Sequence, residues 1–441
     1  MQELPAISEN RNRGGDEMRH LFAGLVCILI AAGIQMVHSA SLSSRPGEAE
    51  TAFLARHLIW LAFAAVAGWC ASRISPQKLR SHAGDLLIVF LILLVIVLIP
   101  GIGARINGAQ RWLRAGSFSM QPSELGRIIL PLVAAARLTQ IRSERRKFSL
   151  STLPWMLWPP VIALPLVAKE PDLGATMFLG IGYLLTLFIG GWPFRYFLGC
   201  AVLVVPAVAS LLILKPYQAQ RISGFLAAWQ DLNQAPWQVR QSLMSLGSGG
   251  LEGTGIGSGW QKLSYLPEAN TDFVFAVIGE ELGLIGTMTI SFLWIAVFFA
   301  GTSILKPLPR TSFEWIFGTS LLMGILVQAM ANIAVVTAMV PPKGVPHPFI
   351  SYGGTNLLVS LTAVGLILGM SRSRASLMDS SSSAFSAEAP EAFCSFVSVN
   401  EDNRVITADD SGAEHETRDQ NLVSSDADCS ERSVLPFTVT Q

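Results

Sequence analysis

Apolar residues in this chain do not alternate with polar ones; they run on. Ten stretches stand out, at about 20–40, 54–73, 83–100, 122–138, 153–169, 173–191, 196–214, 272–305, 314–340 and 349–370. About 20 consecutive apolar residues cross the hydrocarbon core of a bilayer. The pattern therefore predicts an all-α integral membrane protein of about ten transmembrane helices. A long glycine-rich loop, about 215–271, separates spans seven and eight. A loop of that length is uncommon and usually functional. The first stretch lacks a small-residue cleavage signal and further spans follow it, so it reads as a retained helix. No internal repeat of the transporter kind is visible.

The polar segments orient these spans. Arg11, Arg13 and Arg19 precede the first, and Arg142, Arg145, Arg146 and Lys147 cluster after the fourth. Lysine and arginine accumulate in cytoplasmic loops. With residues 1–19 cytoplasmic, ten spans also return Arg372 and Arg374 to the cytoplasm. Loops at about 101–121, 215–271 and 340–349 then lie outside, and Arg105, Arg111 and Arg114 stand against the positive-inside trend. Composition agrees: 51% of the 441 residues are apolar and 14% charged, against about a quarter charged in soluble domains. Lys/Arg and Asp/Glu balance at 31 each, but residues 371–441 carry five basic and thirteen acidic residues and the run Ser380–Ser383. That tail has too little apolar area to offset ordering entropy and is predicted to be disordered and cytoplasmic. The five cysteines suggest neither disulfides nor a metal site, and nothing points to nucleic acid.

Candidate chemistry concentrates between Gly247 and Gly283. Asp272 enters span eight. It reads either as a helix cap or as a general base at the outer surface. Glu280 and Glu281 lie inside the span, where ionisable groups pair or line polar cavities; Arg127 and Lys169 are candidate structural partners. Glu124 and Arg127, three apart on span four, can pair on one helical face. Lys169-Glu170-Pro171-Asp172 joins spans five and six, as a solvated turn or as a site where Lys169 meets an anion and Asp172 orients it. Arg105, Arg111 and Arg114, with Trp112 among them, read as interface anchors or as phosphate ligands. His347, between two prolines, reads as a loop residue. The glycine series lacks the Gly-Lys-Ser/Thr of a phosphate loop.

Four blocks together resemble one family over about residues 20–370. They are NGAQRWLRAGSFSMQPSEL at 107–125, KEPDLGATM at 169–177, QSLMSLGSGGLEGTGIGSG with LPEANTDFVFAVIGEELG, and PPKGVPHPFISYGGTNLL at 341–358. The chain is similar to the SEDS (shape, elongation, division and sporulation) proteins, which polymerise peptidoglycan glycan strands. Pro342-Lys343-Gly344 places it nearer the division than the elongation members. Asn270, His347, Thr355-Asn356 and Trp237 depart from the usual His, Leu, Ser-Ser and Tyr.

The resemblance implies a bacterial inner-membrane glycosyltransferase at the division septum. Its substrate would be lipid II, a disaccharide-pentapeptide on undecaprenyl diphosphate. It implies Asp272 as the base, and Lys169, Asp172, Arg105, Arg111, Glu280 and Glu281 as substrate-binding residues. No cofactor is required by the sequence, though magnesium can assist a diphosphate. The implied partners are a class B penicillin-binding protein that crosslinks strands, other division proteins and membrane lipids. A lipid II flippase, a recruiting scaffold and an elongation-type polymerase are the rival readings.

Overall fold

Apolar runs without a polar face become helices that hide their backbone polar groups from lipid. In the computed structural model, described over residues 3–41, 48–106, 108–116, 118–146, 148–202, 206, 222–227, 229–260 and 266–387, such helices dominate. They are α1 Glu3–Ser41, α2 Glu48–Ala71, the short α3 Pro76–Ser81, α4 Ala83–Leu98, α5 Pro122–Ser143, α6 Leu153–Lys169 and α7 Leu173–Ile189. Residues 194–202 (α8) and 222–227 (α9) are helical. Then follow α10 Trp237–Ser248, α11 Val274–Leu305, α12 Phe313–Val336 and α13 Gly354–Ala387. Nine of the ten predicted spans coincide with a helix. The seventh is helical over 194–202 and then lies largely outside the described residues.

Six helices among the described residues are long and apolar enough to cross a membrane, and α4 and α7 are apolar but shorter. Their outward faces are greasy: Phe63, Val66 and Trp69 on α2, Ile88, Ile92 and Val95 on α4, and Phe292 and Phe299 on α11 are all exposed. Exposed apolar surface on that scale suits lipid rather than water. Small residues let helices approach: a Cβ on Gly365 of α13 would lie 1.9 Å from the Gly68 carbonyl oxygen of α2. Two compact units divide the chain, Met1–Leu377 and Met378–Gln441. Of the predicted tail, 371–387 continue α13 and the rest falls outside the described residues.

The segment expected as a plain loop at 101–121 is a three-stranded antiparallel sheet. Strands β1 Gly103–Ile106, β2 Ala109–Ala115 and β3 Phe118–Met120 pair in sequence order, with an irregularity at Ala104/Arg105. Gly108 and Gly116, both at positive φ, sit at the two reversals.

Helix α11 is two helices joined at Gly283 (φ 64, ψ −159). Its Phe275 stacks on His347 at 6.2 Å and its Trp294 lies 5.5 Å from the same ring. Nineteen residues of straight helix would put them about 28 Å apart. The halves therefore converge, with Glu280 and Glu281 at the bend.

Candidate active-site cleft

The first half of α11 delivers Asp272 to a cleft of about 760 Å³. The N-cap of this helix is Phe273, whose side chain makes no capping bond, and Asp272 stands one residue before it. The Thr271 hydroxyl donates to the Glu268 carboxylate at 3.0 Å. The segment is held by its backbone. Asn332 Nδ2 donates to the carbonyls of Asp272 and Val345, both at 2.7 Å. The Ser351 hydroxyl donates to the Thr271 carbonyl, and the Tyr352 N–H donates to the Asn270 carbonyl at 2.8 Å. These bonds stitch the 340–353 loop against Asp272. A Cβ on Gly344 would lie 2.7 Å from Asp272 Oδ2, so a side chain there would displace the Asp272 carboxylate.

Opposite stands the Arg111–Asp172 ion pair. Arg111 Nη1 lies 2.9 Å from Asp172 Oδ2, and the side chains are 28% and 14% exposed. Asp172 also caps α7, accepting from Ala175 N–H at 2.9 Å, and takes a bond from Gln121 Nε2 at 3.3 Å. One carboxylate thus fixes both a helix start and a guanidinium from β2. Arg111, Asp172 and Asp272 line the same cleft, with Trp112, Lys343 and Tyr352. Arg127 of α5 lies beneath, paired with Glu124 as the sequence suggested and bound to Gln328 and Asn356.

Four of the predicted substrate-binding residues, Lys169, Arg105, Glu280 and Glu281, are not brought to this cleft. Lys169 is exposed at the end of α6 and absent from the lining, so Asp172 orients Arg111 rather than Lys169. Arg105 is exposed on β1, its Nε 3.4 Å from Gln110 Oε1, and Arg114 is exposed as well. Glu280 and Glu281 bind elements away from the cleft. Glu281 accepts from the Ser39 hydroxyl of α1 at 2.6 Å, and Glu280 Oε1 accepts from Trp260 N–H at 2.6 Å.

The glycine-rich segment docks on the α11 bend through its backbone. Thr254 and Gly255 N–H donate to the Glu280 and Glu281 carbonyls at 2.9 and 3.0 Å, and Leu284 N–H donates to the Gly250 carbonyl at 2.9 Å. A Cβ on Gly253 would lie 2.1 Å from the Glu281 carbonyl oxygen, and one on Gly249 1.9 Å from that of Gly279. The glycines let two backbones touch and so satisfy the groups that the bend exposes.

The cleft's further cation, Lys343, was visible in sequence only as a mark of the division branch. Its Nζ lies 2.7 Å from Met177 Sδ. Gln328 and Asn332 carried a clearer signal: two amides four apart on one face of an apolar helix. His347 is a loop residue, as expected, and is fully buried against Phe275 and Trp294.

The family model described as cell cycle protein, covering FtsW, RodA and SpoVE, matches residues 19–376. The chain belongs to this family. The FtsW/RodA/SpoVE relatives include the probable peptidoglycan glycosyltransferase FtsW of Trichlorobacter lovleyi, 40% identical over 79% of this chain and 91% of that one. The FtsW proteins of Geobacter metallireducens (37%; 79% and 94%) and Coxiella burnetii (38%; 77% and 92%) carry the same name. Among solved structures, a chain from a study of polymerisation and crosslinking by a peptidoglycan synthase complex shares the fold, with a TM-score of 0.64, 24% identity and coverage of 80% and 97%. So does the Thermus thermophilus rod shape determining protein RodA, at 0.59, 24%, 80% and 96%.

Proposed function

We infer that this chain is a division-type peptidoglycan glycosyltransferase that polymerises lipid II into β-1,4-linked glycan. Its FtsW relatives support the activity. The observation that carries the site is the meeting of Asp272, Arg111 and Lys343 around one cleft. A transfer from a diphosphate donor needs little more. The acceptor's 4-hydroxyl loses its proton to the Asp272 carboxylate as its oxygen attacks the donor's anomeric carbon. The C–O bond to the diphosphate breaks, and undecaprenyl diphosphate leaves with the electron pair. Displacement inverts the α-linked donor to a β-linkage. Arg111, aimed by Asp172, and Lys343 are placed to take up the departing charge. Diphosphate is already a good leaving group, so a single base suffices where a glycosidase pairs two carboxylates.

The apolar helices and the family support a multi-pass inner-membrane protein of cell division. The finer reading puts both termini in the cytoplasm, the cleft outside and the protein at the septum, with a class B penicillin-binding protein crosslinking the product. Among the described residues no group of three or more His, Cys, Asp or Glu can hold a metal. Magnesium could assist the diphosphate, since it needs only one or two protein carboxylates beside substrate phosphates. The deciding experiment is polymerisation of lipid II by purified protein, alone and with its transpeptidase partner. Lipid translocation without glycan would favour the flippase, and neither activity would favour the scaffold.

A further inference from the structure

Glu170 is the buried group that this mechanism leaves unused. It follows α6 directly, is 0% exposed, and neither carboxyl oxygen has a hydrogen-bond partner among the described residues. An ionised carboxylate in that position would lack both water and a donor, which is costly. Its immediate neighbours Pro171 and Asp172 line the cleft. The charged groups bearing on it are Asp172, on its own turn, and Arg111, from β2. Lys169, on the end of α6, is turned out to solvent exposure. We propose that Glu170 is a positioning residue for the donor diphosphate: carried as a neutral carboxylic acid, it leaves the Arg111–Asp172 pair balanced, so that the guanidinium can take up phosphate charge. This rests on the reading of the cleft as the diphosphate site.

The physics is one of local charge. Arg111 and Asp172 sum to zero, and an arriving diphosphate adds negative charge beside them. A second ionised carboxylate would make the pocket net negative before the substrate arrived. Burial, reinforced by Asp172 and only partly opposed by Arg111, pushes the Glu170 carboxyl up to about 8. At neutral pH it is therefore protonated. Binding an anion beside it strengthens its hold on the proton, and by linkage removing the proton weakens anion binding.

The test compares wild type with Glu170→Gln, which keeps the shape of the neutral acid and cannot ionise. For wild-type lipid II polymerisation, the donor KM rises as pH passes about 8, by up to about tenfold per pH unit for one proton, while kcat moves less. Glu170→Gln matches wild type at pH 7 within about twofold and shows no such rise. Infrared difference spectra of wild type against Glu170→Gln show the carbonyl band of a protonated acid at neutral pH, fading through the same transition. Stability gives a further readout. The acid binds its proton more tightly folded than unfolded, so its burial costs more as pH rises from about 4.5 to about 8. Glu170→Gln gains in thermal stability over wild type across that window, and the gain levels off above it. An unchanged alkaline rise in Glu170→Gln, an absent acid band at neutral pH, or a loss beyond tenfold at pH 7 overturns the proposal, with the polymerase reading intact. A wild-type protein that makes no glycan overturns the polymerase reading itself.

Discussion

At the scale of single residues, the cleft asks different things of its charges. Asp272→Asn keeps the size of the side chain and removes the base. Asn caps a helix about as well as Asp, so the variant folds, inserts and binds lipid II. Its polymerisation rate falls by about 10²–10⁴-fold, the usual worth of general-base catalysis. Glu268→Gln, also on the cleft lining, loses far less; equal losses would sink the assignment of Asp272. Arg111→Ala weakens donor use and also strips Asp172 of its partner, while Arg111→Lys restores the charge without the fork and recovers only part. A donor KM unchanged in both variants would reduce Arg111 to an anchor. Asp272, Arg111 and Asp172 were legible because each is a charge where an apolar chain has no other use for one. Lys169, Glu280 and Glu281 carried the same signal and went elsewhere, because sequence spacing does not say which way a side chain leaves its helix. Glu170 was passed over for the converse reason: within a charged turn, nothing in the sequence marks one acid as buried.

At the scale of elements, the helices were legible from their apolar runs to within a few residues, and the small sheet was not. Its strands are short, and arginines interrupt any alternation, as in Arg111-Trp112-Leu113-Arg114. The bend in α11 was hidden too, since Gly283 is one of several glycines in the span and the conformation depends on the loop docked against it. That joint can be tested. Gly253→Ala places a methyl 2.1 Å from the Glu281 carbonyl oxygen at φ +85. We expect a loss of about 1–3 kcal/mol, read as a lower melting temperature, with polymerisation falling as Asp272 loses its support. Gly247→Ala is the control, since it lies in α10 with open space around its Cβ and gains about 0.5–1 kcal/mol of helix propensity. Equal melting temperatures for the two variants would mean that the loop does not hold the bend.

At the scale of the whole molecule, the proposed orientation rests on the arginine asymmetry. In a background without native cysteines, Gly247→Cys is labelled by an impermeant thiol reagent in intact cells with opened outer membranes, and Ser143→Cys only after lysis. Both positions are exposed. The reverse pattern would turn the molecule over and move the cleft to the cytoplasm. The seating of the 340–353 loop then acquires an energetic meaning. A Cβ on Gly33 would lie 2.3 Å from the Phe349 carbonyl oxygen, whereas Glu281 bonds Ser39, six residues further along α1. Six residues of helix span about 9 Å, so the contacts that α1 makes with the loop and with the α11 bend lie that far apart along the helix. Each methylene drawn out of hydrocarbon costs about 0.8 kcal/mol. On the proposed reading of Asp272 as the base of an outward-facing cleft, a site set back from the bend would let the isoprenoid chain stay immersed, and the sugar chain, which is at home in water, would make the descent instead.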